Sequence, residues 1–550
     1  MAYTREVGKG VSSPCLLRRR QGGQALVLSL FTVGIVILVM FAMYSMGQQT
    51  IAKIKLQNTA DAAAYSAAQA QARDYNFAAY INRAMVANQV AVAQVVGLTS
   101  WSRDYGNTYD GKFSWVPDML VNLGASPLSR LWTVPWDIHK SVGSGFRSTF
   151  NAVGPITVKL LDLLIDTLGT AQMVYHYGTG LTIAQTVGLD IFGADGALAQ
   201  LGMDQSFFDN NGLTDILTLN PAYNIVKLND ANARLSLPGK LAVLIGLVQW
   251  FGFTENKDPN TAAKDGKDAD RFAQVTVDSL DEFSKNRSTK DAWYSGAPEV
   301  FYLTPAPFLI DPTRFIPYQN GAFMMWLWHR GGTELKNVDD KKRTWSAMDA
   351  TGFTGGAIFW ISILGIPIPI PIIIPTMPMG WGAAQAGDDG DLDAGDNFGT
   401  DAGDAYGGVY AGFNTAAPAV IQRGEGAGSS MGKLPLSGGG LRKYFDVKKV
   451  TDKDDNLVAP SLLIEVEKAG SNLPDSNSLA GGRFALTAGT QSGYMRTLSK
   501  AQAYFSRPAK LWARDDDKTE QGSLYSPYWQ ARLVANSFLE QYISMSYHLH

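Results

Sequence analysis

The chain has one cysteine in 550 residues, Cys15, and it stands ahead of the first long apolar run. Everything after it is free of thiols, which rules out internal disulfides and the zinc or iron–sulfur sets that need several cysteines. Histidine is nearly as scarce, with five residues, and none falls into a His-Glu-x-x-His pattern. A cationic surplus is also missing. The net charge is −3, and residues 1–23 hold Arg5, Lys9, Arg18, Arg19 and Arg20 against Glu6, so the rest of the chain is acidic. A mildly acidic body argues against a nucleic-acid partner. From Gln21 to Ala52 charge is absent altogether.

That uncharged stretch contains a continuous apolar helix from Ala25 to Met43. About 20 such residues cross the hydrocarbon core of a bilayer. Arg18–Arg20 directly precede it, which by the positive-inside rule puts the N-terminus in the cytoplasm and the bulk of the chain outside. A cleaved secretory signal is the competing reading, but its apolar core is shorter, and Ser45-Met46-Gly47 makes a poor exit site. The next stretch, Ile51 to about Ser100, is alanine-rich. Ala60, Ala64, Ala68 and Ala72 recur every fourth residue and so form one helix face. Small residues in that row let a second helix approach closely. A core or solvated helix without a partner is the alternative, since alanine is the best helix former. A continuous anchor and stalk would make a rod of about 110 Å, with Gly47 as the candidate interruption.

These residues resemble a known family. Arg19-Arg20-Gln21-Gly22-Gly23-Gln24-Ala25-Leu26-Val27-Leu28, the apolar span, and Leu56-Gln57-Asn58-Thr59-Ala60-Asp61-Ala62-Ala63-Ala64-Tyr65-Ser66-Ala67-Ala68 are similar to the N-terminal module of TadE/TadG-like proteins of the bacterial tight-adherence (Tad, or Flp) pilus-assembly systems. Asn82-Arg83-Ala84-Met85-Val86-Ala87-Asn88-Gln89-Val90-Ala91 resembles a subgroup of large TadG-like proteins. So do Ala501–Pro508 and Ser526–Leu533. The resemblance implies an accessory, non-enzymatic pilus component in the inner membrane, minor-pilin-like or an assembly factor. Its partners would be other pilin-like or assembly subunits, and its body would be periplasmic or extracellular. Prepilin processing would cut between Gly23 and Gln24, leaving Leu28 fifth, where pilins place Glu. Leu28 cannot supply that charge, so an uncleaved anchor is the favoured reading. The Asp-x-Ser-x-Ser metal loop of some TadG relatives is missing; Asp204-Gln205-Ser206-Phe207-Phe208 fails at its last position.

The expected fold class is α+β: a transmembrane helix continuing into an alanine-rich stalk, then a large mixed ectodomain. The divisions are a basic leader at 1–23, the membrane helix at 24–47, the stalk at 48–103, a helix-rich region at 104–345, a Gly/Pro/Asp-rich region at 346–440 and a mixed strand and helix region at 441–550. Within these, 104–150 reads as irregular loops from its Trp, Gly and Pro content. Residues 153–203 contain helical runs, and Leu241–Phe253 forms an apolar helix too short to span a membrane. Asp258–Asp270 reads as a polar linker and Ala269–Asn286 as a helix. In Phe359–Pro378, Ile366-Pro367-Ile368-Pro369-Ile370-Pro371 forces an extended chain, either buried in the domain or exposed as a docking or membrane-contacting loop. Tyr444–Val447 and Leu462–Val466 read as strands joined by a turn over Thr451–Asn456. Ser526 with Pro527 reads as the start of a terminal helix.

Candidate chemistry is sparse. Asp389, Asp391 and Asp393 imitate the first half of a calcium loop, but Ala394 replaces the required Gly and Thr400 the bidentate Glu, which favours a solvated loop. No other cofactor is expected. Gly428-Ser429-Ser430-Met431-Gly432 spells a nucleophile elbow without the flanking strand and helix that motif needs. His176, between two tyrosines, reads as structural. The alternative function is an anchored adhesin whose 13 Trp and 22 Tyr recognise glycan or a host surface; an envelope enzyme is the third.

Overall fold

The computed structural model describes residues 22–110, 130–189, 224–259, 271–285, 299–306, 321–338, 342–363, 366–386, 433–434, 441–448, 460–473, 493–507 and 522–547. In chain order the elements are helices α1 (Gly22–Asp110), α2 (Arg130–Val187) and α3 (Ile225–Asn229), strand β1 (Ala233–Leu235), α4 (Leu237–Phe253), β2 (Thr254–Lys257), α5 (Arg271–Asp278) and α6 (Glu282–Lys285). There follow β3 (Glu299–Ala306), β4 (Gly321–Val338), β5 (Lys342–Ile363), β6 (Ile366–Ala386), β7 (Lys433–Leu434), β8 (Tyr444–Val447), β9 (Ser461–Ala469), β10 (Tyr494–Phe505), β11 (Trp529–Val534) and α7 (Phe538–Tyr547). The fold is α+β with one N-terminal helix apolar and long enough to cross a membrane.

Helix α1 is the spine. It runs 89 residues without a break, about 130 Å at 1.5 Å per residue. Gly47 does not interrupt it, because an isolated glycine costs a helix only about 1 kcal/mol and strong helix formers flank it. The helix divides sharply at Ala52. From Ala25 to Ile51 every residue is exposed or half-exposed; from Ala52 on, one broad face is buried.

Four bodies cover that face in turn. Nearest the apolar end lies an antiparallel sheet of order β1-β9-β10-β11. Its strand β10 lies on α1: Thr497 Oγ1 donates to the Leu56 carbonyl (3.3 Å), and Gln57 Nε2 donates to the Leu498 carbonyl (3.3 Å). Helix α4 closes the outer side of β9. Its N-cap Ser236 accepts from Gly239 N and donates to Glu465 Oε1 (2.8 Å). Further along, the β2–β8 pair packs near Asn82, and beyond it stands the sheet β3-β4-β5-β6-β7. The fourth body is α2, which returns antiparallel to α1. Gly143 sits beside Gly106, Asn151 beside Arg103, Gln172 beside Asn82 and His176 beside Asp74.

Three sequence expectations are corrected here. Residues 104–110 and 130–150 are helical, not irregular loops. Their glycines serve a helix crossing: a Cβ on Gly106 would lie 3.0 Å from the Gly143 carbonyl, and one on Gly143 would lie 3.1 Å from Gly106 Cα. Aromatics gather at the same crossing: Trp101 stacks on Tyr105 along α1 at 5.4 Å, and Tyr109 stacks across on His139 of α2 at 4.9 Å. Next, β8 and β9 do not form a hairpin; β8 pairs with β2 and β9 with β1 and β10. Finally, Ser526-Pro527 precedes strand β11, and the terminal helix starts twelve positions later, at Phe538. Its cap is Ser537, whose amide donates to Glu540 Oε2 (2.7 Å) while its Oγ accepts from Glu540 N (3.3 Å), a reciprocal capping box.

The isoleucine–proline segment is extended, as its composition requires. Strand β6 pairs antiparallel with β5, Ile368 opposite Ile361 and Pro369 opposite Trp360. Prolines 367, 369 and 371 cannot donate, so the ladder's donors here come from Ile366, Ile368 and Ile370, and the proline nitrogens face the opposite edge. That edge thereby refuses strand addition. Ile368 and Ile370 are 42% and 37% exposed, so at these two positions the segment is not buried.

Candidate functional site

The features with functional meaning lie along α1. Its apolar window is 0% buried, and Leu26, Leu28, Leu30 and Phe31 each expose about 70% of their surface. Exposed leucine and phenylalanine in an unbroken run would be a heavy penalty in water and are favourable in lipid. Thr32 and Ser29 satisfy their hydroxyls on the helix's own carbonyls of Leu28 (2.8 Å) and Leu26 (2.9 Å), leaving no unpaired donor to lipid. Gly23 and Gln24, the candidate processing junction, lie in the first turn of this helix. Leu28 projects 71% exposed, one turn later.

Ala60, Ala64, Ala68 and Ala72 are at most 1% exposed. Together with Ala63 and Ala67 they bring the helix backbone against Leu462, Ile464, Val466, Ala501 and Ala503 of β9 and β10. This small-residue face is covered within the chain, by the C-terminal sheet and, in the same cluster, by Ile183, Ala184 and Val187 of α2 and Val226 of α3.

Higher on the spine, polar side chains of α1 hold the C-terminal segments through their backbone. Asn76 Nδ2 donates to the Trp529 carbonyl and Asn76 Oδ1 accepts from Trp529 N, both at 2.9 Å. Asn82 Nδ2 donates to the Phe445 and Leu524 carbonyls (2.8 Å each), and its Oδ1 accepts from Gln172 Nε2 (3.0 Å). Arg83 Nε donates to the Tyr525 carbonyl, and Gln89 Oε1 accepts from Trp345 Nε1 (2.9 Å). Asn82-Arg83, which carry the resemblance near the front of the chain, thus hold Leu524 and Tyr525, the two residues just before Ser526–Leu533, and Asn76 holds Trp529 within that segment. The sequence showed both segments; nothing in it showed that one binds the other.

A buried polar cluster closes the gap between α1, α2 and β2. His176 Nδ1 lies 2.6 Å from Asp74 Oδ2, and His176 Nε2 lies 3.2 Å from Thr254 Oγ1. Burial pushes the Asp74 carboxyl above its ordinary range, against the opposing pull of His176. His176 is 5% exposed and packed between Trp250 (4.5 Å) and Phe445 (5.2 Å). With both ring nitrogens engaged and water excluded, this is a structural cross-link. At the far end, Arg103 donates to the Ala383 carbonyl and to Asn151 Oδ1, both at 2.7 Å, and burial brings its pKa down to about 10. Asp389, Asp391 and Asp393, the nucleophile-elbow spelling and the Asp204 segment lie outside the described residues. Among the described residues no group of three or more His, Cys, Asp or Glu could hold a metal ion.

Among the described residues, one helix is apolar and long enough to cross a membrane, and its continuation is the core of the chain's own α+β body. Residues 23–70, the anchor and the first buried turns, match the family model described as "Putative Flp pilus-assembly TadE/G-like". The match supports a pilus-associated role and association with pilus components. No curated protein and no solved structure matches the chain.

Proposed function

We propose that this chain is an accessory component of a Tad/Flp-type pilus, held in the bacterial inner membrane by α1 and working by protein–protein contact rather than catalysis. The observation that carries the reading is the coincidence of the matched residues 23–70 with the exposed apolar helix and its first buried turns. The basic residues Arg18–Arg20 support a cytoplasmic N-terminus and a body in the periplasm or beyond. The body fits an assembly factor better than a freely packing pilin. The small-residue face a pilin would offer to neighbouring helices is covered within the chain.

Deletion of the gene is expected to lower piliation and adherence, with complementation by the full chain but not by a chain lacking residues 24–47. Normal pili in a clean deletion strain overturn the proposal. Peptide mapping of membrane and sheared-filament fractions separates its two forms. A chain beginning at Gln24 in filaments marks a processed minor subunit; one retaining Arg18–Arg20, found only in membranes, marks a fixed assembly factor.

A further inference from the structure

Helix α2 carries two apolar stripes on opposite faces. The inner one, Gly154, Val158, Leu161, Ile165, Leu168 and Gln172, is buried or half-buried and faces α1. Its steps alternate four and three residues, the spacing of a coiled-coil seam. The outer one has the same spacing. It runs from Val142 through Phe146, Thr149, Val153 and Ile156, then continues through Leu160, Leu163, Thr167 and Thr170 to Val174. Every one of these residues is exposed. Ile156, Leu160 and Leu163, at its centre, each expose slightly more than 60% of their surface.

A helix apolar on both faces is a buried helix, and half of this one has no cover among the described residues. A strict alternation of four and three averages 3.5 residues per turn. On a straight helix such a stripe drifts about 20° per heptad, and it stays in contact only with a second helix that supercoils with it. A flat sheet or a bilayer surface makes no use of that period. The exposed apolar residues of the stripe and its margins amount to on the order of 900 Å², close to the roughly 800 Å² per partner of a stable interface.

We propose that the outer stripe of α2 is a homodimer seam, occupied by the same stripe of a second copy of this chain running parallel to it. The membrane helix supplies the orientation. Two copies anchored in one bilayer share their direction, so a two-fold axis along the membrane normal brings α2 against α2 in parallel and in register. The aligned core layers are then Val153 on Val153, Ile156 on Ile156, Leu160 on Leu160 and Leu163 on Leu163. Charge does not oppose this register. In a parallel pair the flanking Lys159 meets Leu164 of the other copy, and Asp166 meets Ala171, so no like charges are juxtaposed. The inference is independent of the proposed pilus role, since it rests on α2 and the anchor alone.

The test uses the full chain in its native membrane, with Cys15→Ser removing the natural thiol. Ile156→Cys and Leu163→Cys, introduced one at a time, should give disulfide-linked dimers under mild oxidation. Ser148→Cys, exposed on α2 but off the stripe, should not. Ile156→Glu in the Leu163→Cys chain should cut the dimer yield at least tenfold, while far-UV circular dichroism and membrane extraction stay unchanged. Absence of dimers at both stripe positions overturns the proposal. So does equal cross-linking at Ser148→Cys, or a cross-link to a different polypeptide in place of a second copy. Normal piliation in a deletion strain would leave this dimer untouched, and loss of the cross-link would leave the pilus role untouched.

Discussion

Gly382→Ala should release the β5–β6 hairpin from the spine. A Cβ on Gly382 would collide with the Ser100 carbonyl and the Asp104 amide nitrogen, both backbone atoms of α1, and would stand 2.7 Å from Arg103 Cβ. A helix backbone cannot swing aside as a side-chain end can, so the sheet must move outward by an ångström or more. Three hydrogen bonds depend on the present spacing: Ser100 Oγ to the Gly382 carbonyl (3.1 Å), Arg103 Nη1 to the Ala383 carbonyl (2.7 Å) and Thr351 Oγ1 to Asp104 Oδ2 (2.6 Å). Two of the three involve a charged group, each worth about 1.5–3 kcal/mol when buried, so about 3 kcal/mol of docking free energy is at stake. That is about a hundredfold in the local opening equilibrium. Hydrogen exchange read by mass spectrometry on the detergent-solubilised chain should show that loss of protection in 345–351 and 380–386, with 461–469 unchanged. Gly178→Ala is the matched control: it lies in α2 with nothing within 4 Å of its Cβ and should be neutral or stabilising by up to about 1 kcal/mol. Wild-type protection of both hairpin strands in Gly382→Ala would refute the account of how this sheet is held.

Other outcomes follow from the same geometry. Asn82→Ala removes the donor to the Phe445 and Leu524 carbonyls and one of two acceptors of Gln172 Nε2, which keeps the Ala78 carbonyl; it should cost about 2–3 kcal/mol, measured as a lowered midpoint in denaturant. Asp446 has its pKa raised by burial, against the pull of Arg271 and Lys257. The native state therefore binds its proton more tightly than the unfolded chain, and this group's contribution falls as pH rises from about 4 through the raised value. Asp446→Asn should flatten that part of the stability–pH profile, checked by thermal unfolding across the range. Gln71 is 0% exposed, and among the described residues neither of its amide atoms has a hydrogen-bond partner; Gln71→Leu should hold or raise Tm, since it removes an uncompensated desolvation.

The sequence alone determined whatever depends on one segment and its solvent. The uncharged run makes an apolar helix because hydropathy and helix propensity agree there, and Ala25 to Met40 stay exposed in the fold. The alternating prolines dictate an extended chain at 366–371, because no helix can be built without those amides. The alanine row of Ala60 to Ala72 was legible as a contact face for the same local reason. What covers that face was not. Pairing Leu56 with Thr497 joins residues more than four hundred positions apart, and no local periodicity encodes the partner. The glycines misled for a related reason. The same letter marks a turn and a close approach of two backbones, and only the position of Gly143 against Gly106 tells them apart. The capping box at Ser537 and Glu540 could have been read directly, but Ser526-Pro527 offered an equally good local signal, and the ladder of β11 with β10 decided between them. Tertiary structure decided the partners, because side chains of one chemistry can be satisfied by many surfaces and only the assembled chain brings one of them within reach.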